Sequence, residues 1–111
     1  MLENRTHMCG ELKASDKGLK SVLYGWVNRR RDLGSLIFID LRDRTGLCQV
    51  VFDPQLLTDD IFQKAESLRN EFVIAVHGTI QLRPEEMINH SMATGEIEVI
   101  AEKLEILNTA D

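Results

Sequence analysis

The residues best suited to chemistry in this chain are one aromatic ring and the charges around it. In a short strand pattern every second residue is aliphatic, namely Ile37, Ile39 and Leu41. Because strand side chains alternate between two faces, we expect Phe38 to point outward, beside Asp40 and Arg42. An exposed ring among guanidinium groups can stack on an unpaired nucleic-acid base. The alternative is that a loop or a neighbouring domain covers the ring, since single apolar residues are common at surfaces.

Arginines are concentrated on both sides of this ring. Residues 29–44 contain five arginines and three aspartates, a local net charge of +2, whereas the whole chain of 111 residues carries −5. The remaining residues therefore carry −7. Indiscriminate binding to nucleic acid depends on neutralising many phosphates, so this balance favours a short, specific contact. The alternative is that these charges pair with one another at a solvated surface.

The other titratable residues form no pattern typical of catalysis or of metal binding. Asp40 with Asp43, and Glu96 with Glu98, are close pairs of carboxylates that we interpret as solvated charge. The sequence has no glycine-rich phosphate loop, metal-ligand cluster or nucleophile–base pair. We therefore predict no catalytic residue and no metal site, and we interpret the chain as a recognition module.

Five strand patterns account for most of the chain. Alternating apolar residues and β-branched or aromatic residues predict strands at 21–28, 36–42, 47–52, 72–82 and 95–107. Residues 29–35 are polar and end in glycine and serine, so we expect them to connect the first two strands. Gly78 in the middle of the fourth pattern indicates a bend or bulge, and the fifth pattern shifts register near residues 101–103.

One helix is predicted, at residues 59–68. Thr58 is the expected N-cap, and the two aspartates that follow it complement the positive end of a helix. An apolar stripe at helical spacing should cover one end of a sheet; it consists of Ile61, Phe62, Ala65 and Leu68.

The order of three strands, a helix and two strands predicts a specific fold. A five-stranded Greek-key barrel with a helix between strands three and four is the OB-fold arrangement. In that fold, the face of strands two and three and the adjoining loops bind oligonucleotides or oligosaccharides. We predict an all-β OB-fold barrel with one helix at residues 11–107, a loose N-terminal extension at 1–10, and the start of a linker at 108–111.

The composition indicates a globular cytoplasmic protein without a membrane partner. Hydrophobic residues make up 43% of the chain and charged residues 28%, which is ordinary for globular domains. No apolar run approaches membrane-spanning length, and the first ten residues lack the apolar core of a signal peptide. The two cysteines are too few for a disulfide framework.

Three stretches of the sequence carry a family resemblance. GWVNRRRDLGSLIFIDLRDRTGLCQVVFDP, at residues 25–54, resembles the N-terminal anticodon-binding domain of bacterial aspartyl-tRNA synthetases. LRNEFVIAVHGT at 68–79 and MATGEIEVIAEKLEILN at 92–108 extend the resemblance in the family's order and spacing. It covers residues 7–111, nearly the whole chain.

The resemblance implies roles for individual residues. It assigns Phe38 to stack on the central anticodon uridine, and Arg31 and Gln49 to hydrogen bonds with anticodon bases. It assigns Glu98 to the Watson–Crick edge of the first base, a guanine or modified guanine. A carboxylate can accept from N1–H and N2–H of guanine, and an amide can both donate to and accept from uracil. The alternative for Glu98 is a solvated strand residue.

Five further residues are candidates for contacts with the tRNA. We expect Arg29, Arg30 and Asn89 to contact its backbone. Family members that charge only the aspartate tRNA often have leucine where Leu33 stands and asparagine where Met87 stands. Members that also charge the asparagine tRNA often have histidine at the first position and a different residue at the second. Leu33 therefore indicates the strict type, whereas Met87 matches neither pattern.

The resemblance also implies a larger parent enzyme. The family joins aspartate to tRNA with ATP and magnesium in a class II catalytic domain, which we expect beyond Asp111. We expect no cofactor in this segment. We expect tRNA(Asp) as the partner, with tRNA(Asn) as a second candidate. The parent enzyme should be a homodimer and the isolated domain a monomer. One alternative is a free-standing single-strand-binding protein of the same fold, which usually needs several aromatics and strong positive charge. Another is a protein- or sugar-binding barrel, which leaves the arginines unexplained.

Overall fold

A computed structural model describes residues 4–110 and forms a closed five-stranded barrel. The order around the barrel is β1-β2-β3-β5-β4, and β4 pairs with β1 to close it. Every neighbouring pair is antiparallel except β3 and β5, which run parallel. The predicted OB-fold barrel, with its helix between the third and fourth strands, is confirmed. The elements are β1 (Lys20–Leu33), β2 (Leu36–Asp43), β3 (Gly46–Phe52), α1 (Asp59–Glu66), β4 (Val73–Leu82) and β5 (Ile97–Asn108).

The first strand is longer than its sequence pattern predicts. β1 continues to Leu33, so the prediction that residues 29–35 form a connection is wrong, and only residues 34–35 make the turn into β2. A β-bulge in the middle of β1 shifts its register against β2 and places Arg31 directly opposite Phe38. The arginine cluster is therefore carried by a paired strand whose backbone is fixed.

The predicted irregularity in the fourth and fifth strands is confirmed at Gly78. The register between β4 and β5 shifts between His77 and Gly78, which leaves Glu102 as the extra residue on β5. A Cβ atom at position 78 would lie 2.6 Å from the carbonyl oxygen of Ile100. Glycine therefore allows the two strands to approach closely where the barrel bends.

The α-helix begins where the sequence predicts and ends at Glu66, earlier than expected. The backbone N–H of Ile61 donates to Oγ1 of Thr58 at 3.4 Å, which confirms the N-cap. Within residues 4–110, no helix has the length and apolar character needed to cross a membrane. The predicted stripe packs against one end of the barrel core through Ile61, Phe62, Ala65 and Leu68.

The N-terminal segment is packed against the barrel. The backbone N–H of Thr6 donates to the carbonyl of Val22 at 2.9 Å, and Oγ1 of Thr6 accepts from the N–H of Val22 at 2.8 Å. Cys9 and Leu12 are buried in the core. The prediction of a loose extension is therefore wrong for residues 6–10, while residues 1–3 lie outside the described part. At the other end β5 includes Asn108, and residue 111 is also outside it.

A buried carboxylate fixes this N-terminal segment. Asp43 accepts hydrogen bonds from the N–H of Cys9 at 2.7 Å and from the N–H and hydroxyl of Thr45 at 2.8 and 2.6 Å. Burial alone would raise the pKa of Asp43, but the hydrogen bonds from Thr45 and Cys9 outweigh it and hold the pKa below the usual value. The interpretation of Asp43 as solvated charge is wrong, because its carboxylate joins two segments of the chain.

Candidate nucleic-acid interface

The side chains predicted to contact bases converge on one outer face of the barrel. Arg31 lies on β1 and Phe38 opposite it on β2. β3 and β5 run parallel in register, which brings Gln49 and Glu98 side by side. Four residues that are distant in the sequence are therefore presented together by four adjacent strands.

A chain of hydrogen bonds links three of these residues. Nη2 of Arg31 donates to Oε1 of Gln49 at 2.9 Å, and Nε2 of Gln49 donates to Oε1 of Glu98 at 3.0 Å. The same Nη2 lies 3.4 Å from Oδ1 of Asp40. Nε of Arg31 is buried without a hydrogen-bond partner among the described residues. The polar groups on this face are therefore linked to one another, and Nε of Arg31 is the buried donor that remains without a partner among the described residues.

The aromatic ring of Phe38 is on this face but is not exposed. It lies outside the main core cluster, as strand alternation predicts, yet only 8% of the residue is accessible. The prediction of an exposed ring is wrong, because neighbouring residues leave little of it accessible; Pro84 and Met87 line a groove beside it. The guanidinium carbon of Arg31 lies 5.6 Å from the ring centroid, within the range of a cation–π interaction.

A groove beside the ring connects it to the carboxylate of Glu98. The groove has a volume of about 190 Å³, and β2, β3, β5 and the β4–β5 loop (residues 83–96) form its walls. Its lining is mainly apolar and consists of Leu36, Phe38, Val51, Pro84, Met87 and Glu98. An apolar slot with a carboxylate on its wall suits a flat, polar-edged ring such as a nucleic-acid base.

The environment of Glu98 disfavours its charged form. Desolvation by burial raises the pKa of this carboxyl above the ordinary glutamate value, while the hydrogen bond from Gln49 and the positive charge of Arg83 oppose the rise. Glu98 is partly buried and accepts a hydrogen bond from Gln49, so the interpretation of Glu98 as a solvated charge is wrong. A partly desolvated carboxylate gains more from a ligand that offers it hydrogen-bond donors than a solvated one does.

Arg83 is a neighbour of this site that sequence reasoning missed. It is buried at the end of β4, and its Nε donates to the carbonyl of Ile97 at 2.8 Å. Burial lowers the pKa of Arg83, and the negative charges of Glu98 and Asp40 oppose that change. An arginine that follows a strand is an ordinary surface pattern, so nothing in the sequence distinguishes this one. Its charge partly compensates the carboxylate of Glu98 from beneath the face.

The arginines at positions 29 and 30 have different environments. Nη1 of Arg30 donates to the carbonyls of Glu66 and Leu68, at 2.6 and 3.0 Å, where α1 ends. Its Nε donates to Asp32 at 2.8 Å, and this hydrogen bond raises the pKa of Arg30. Arg29 is exposed. The side chain of Arg30 is thus committed to the helix end, whereas Arg29 is open to solvent.

Of the remaining candidate residues, only Met87 lines the groove. Leu33 is 53% exposed and pairs with Leu36, which lines the groove, while Met87 is 51% exposed and lines it directly. Oδ1 of Asn89 accepts from the N–H and hydroxyl of Ser91 at 3.1 and 2.7 Å, a turn that shapes the β4–β5 loop. In the part of the chain that is described, no group of three or more His, Cys, Asp or Glu side chains could hold a metal ion.

Comparisons with known proteins agree with this geometry. A family model described as an OB-fold nucleic acid binding domain, tRNA anti-codon, matches residues 22–107. The Aspartate--tRNA(Asp/Asn) ligase of Moorella thermoacetica is 57% identical over 107 residues, which cover 96% of this chain and 18% of that protein. The Aspartate--tRNA ligase of Listeria monocytogenes (HCC23) is 52% identical over 109 residues, which cover 98% of this chain and 18% of that protein.

A solved structure shows the same fold. Asparaginyl-tRNA synthetase from Pyrococcus horikoshii, complexed with asparaginyl-adenylate, superposes with a TM-score of 0.82 at 29% identity, over 99% of this chain and 24% of that one. The chain thus spans about a fifth of the curated relatives it matches. The resemblance to the anticodon-binding domain of aspartyl-tRNA synthetases is confirmed, and the chain belongs to the tRNA anticodon family of OB-fold nucleic acid binding domains.

Proposed function

We propose that this chain is the anticodon-binding domain of an aspartate–tRNA ligase, and that the face carrying Arg31, Phe38, Gln49 and Glu98 binds the anticodon. The observation that carries the proposal is the groove joining Phe38 to Glu98, next to the hydrogen-bond chain from Arg31. The parent enzyme attaches aspartate to tRNA(Asp), with ATP and magnesium bound in a part of the protein other than this chain. It acts in the cytoplasm as a homodimer, and the isolated domain is a monomer.

Each side chain on the face has a role that fits its chemistry. Phe38 stacks on the central uridine, and the uridine edge pairs with the amide of Gln49 and a donor of Arg31. Glu98 accepts hydrogen bonds from N1–H and N2–H of a guanine at the first position. Arg29, exposed on the arginine cluster, meets the phosphate backbone.

The aromatic ring has little accessible surface before RNA binds. Phe38 is 8% exposed, and Pro84 and Met87 of the β4–β5 loop line the groove beside it. Met87 is an unbranched side chain that is half exposed, so it can change rotamer when a base enters the groove. Binding therefore exchanges internal contacts of the face for contacts with bases. Only bases that replace those contacts well bind tightly, so the exchange increases specificity more than affinity.

Leu33 and Met87 are the candidate residues for deciding whether the asparagine tRNA is also a substrate. Met87 lines the groove, and Leu33 pairs with Leu36, which lines it. The resemblance implies that ligases restricted to the aspartate tRNA often have leucine at position 33. The two curated relatives include one ligase named for both tRNAs and one named for the aspartate tRNA alone. We propose the restricted specificity, with Leu33 as its main determinant. Titration with aspartate and asparagine stem-loops should give tighter binding to the former, and Leu33→His should reduce the difference.

The proposal is tested by titrating the domain with three RNAs of equal length. They are the aspartate anticodon stem-loop, the same stem-loop with the anticodon bases permuted, and an unstructured strand of the same composition. The first should bind most tightly. With few phosphate contacts, its affinity should fall only gently as salt rises. Equal affinity for all three with a steep salt dependence would favour the free-standing single-strand-binding protein instead.

A further inference from the structure

The side chain of Gln49 lies between a cation and an anion. It is 5% exposed, its Oε1 accepts from Arg31 at 2.9 Å, and its Nε2 donates to Glu98 at 3.0 Å. The three residues come from β1, β3 and β5. The amide therefore has charged partners of opposite sign on its two ends.

This arrangement fixes the orientation of the amide. An arginine has only donors and an ionised glutamate only acceptors. Turning the amide of Gln49 by 180° would set its N–H₂ against the guanidinium of Arg31 and its oxygen against the carboxylate of Glu98. Both hydrogen bonds would become repulsive contacts at a buried position. Only one of the two orientations is therefore compatible with Arg31 and an ionised Glu98.

The fixed orientation determines which base the amide can pair with. Once both internal hydrogen bonds are made, one oxygen lone pair and one N–H of Gln49 remain available. Uracil offers an N3–H donor beside its O4 acceptor, whereas cytosine offers an N3 acceptor beside its N4–H₂ donor. The two pyrimidines thus present opposite patterns at the same edge, and turning the amide would exchange the preferred pyrimidine.

We propose that Glu98, besides binding the first base, is a positioning residue for recognition of the second base, acting through the amide of Gln49. This inference rests on the proposed anticodon-binding function and extends it. Recognition of the two adjacent bases is then energetically coupled, because one carboxylate serves both. Arg31 holds the other end of the same amide and has the same positioning role.

The test measures discrimination at the second base when only Glu98 is changed. Wild type and Glu98→Gln are each titrated with two stem-loops that share a guanine at the first position and differ in having uridine or cytidine at the second. The neutral amide introduced by Glu98→Gln can donate or accept a hydrogen bond. Residue 98 then no longer fixes the orientation of the Gln49 amide. We expect the uridine-to-cytidine affinity ratio to fall by about tenfold, the size of one charge-assisted hydrogen bond.

Phe38→Ala is the matched control for this measurement. Stacking tolerates any base, so this variant should weaken binding to both stem-loops by similar factors and leave their ratio unchanged. If Glu98→Gln also lowers both affinities equally, Glu98 does not position Gln49 and the inference is overturned. If wild type shows no preference for the aspartate stem-loop over the one with permuted anticodon bases, the proposed function itself fails; that titration is separate from this one, so the two failures can be told apart.

Discussion

The guanidinium carbon of Arg31 lies 5.6 Å from the centroid of the Phe38 ring, on a face where only 8% of Phe38 is accessible. The ring lies outside the main core cluster, and Nε of Arg31 is buried without a hydrogen-bond partner among the described residues, so this donor is free for a ligand. In the proposed function, the free domain holds the Phe38 ring beside the guanidinium of Arg31, and a bound base would replace that contact.

Phe38→Ala should weaken binding of the aspartate anticodon stem-loop by about 1–3 kcal/mol, the range found when a base loses its aromatic platform. Phe62→Ala is a suitable control, because Phe62 lies on α1, packs against the core cluster and does not line the groove beside Phe38. That variant should lose stability and keep its affinity. Titration and thermal unfolding of both variants check this, and a Phe38 variant that unfolds early yet binds normally would place the ring in a purely structural role.

Arg29→Ala should mainly lower the affinity for RNA, whereas Arg30→Ala should mainly lower the stability of the domain. Arg29 is exposed, so its loss should lower the affinity and make the log–log salt slope shallower by about 0.7, the value for one phosphate contact with a single strand. Arg30 donates to two carbonyls at the end of α1, so its loss should mainly lower stability. Titrations at several salt concentrations measure the effect on affinity, and urea unfolding measures the effect on stability. The same salt slope for both variants would contradict this assignment.

Asp43→Asn should destabilise the domain by about 1.5–3 kcal/mol, the range for hydrogen bonds to a charged group. The carboxylate accepts three hydrogen bonds from Cys9 and Thr45, and the pKa of Asp43 is lowered in the folded state. Its contribution is therefore present above the ordinary aspartate pKa and is lost as pH falls through the lowered pKa. Urea unfolding measures the effect. Asp53→Asn should change stability less, because Asp53 accepts a single hydrogen bond, from the N–H of Gln55, which the amide oxygen of asparagine can also accept.

Binding of a guanine-first stem-loop should weaken as pH falls from neutral. Burial raises the pKa of Glu98, so this carboxyl takes up a proton at a higher pH than an ordinary glutamate. The protonated carboxyl is a poor acceptor for the N–H groups of guanine, so the affinity for the stem-loop falls as the pH drops through the raised pKa of Glu98. Titrations across the pH range should show this loss for wild type and a flatter profile for Glu98→Gln. Parallel profiles would mean that another group titrates.

Local sequence patterns predicted the barrel because apolar residues recur at strand spacing in each strand and at helical spacing in the helix. Alternation also placed Phe38 on the outer face correctly. It could not show that Pro84 and Met87, far along the chain, line a groove beside that ring. For the same reason the burial of Arg83 was missed. Such contacts depend on how distant segments meet in the folded barrel.

The N-terminal segment shows the same limit. Cys9 and Asp43 are 34 residues apart, and the polar sequence around Cys9 resembles a disordered end. Only the folded chain shows that the N–H of Cys9 meets a buried carboxylate. Sequence patterns report the burial of elements with regular periods, whereas a single hydrogen bond between irregular segments leaves no periodic signal.

The central claim is that this face recognises anticodon bases, and the most direct measurement is a set of four titrations. Wild type and Glu98→Gln are each titrated with stem-loops that differ only in having guanine or adenine at the first position. Guanine offers the carboxylate two donors, whereas adenine presents a ring nitrogen lone pair that repels it. We expect wild type to prefer guanine and the variant to lose much of that preference. Equal losses of affinity for both stem-loops would contradict base recognition by Glu98.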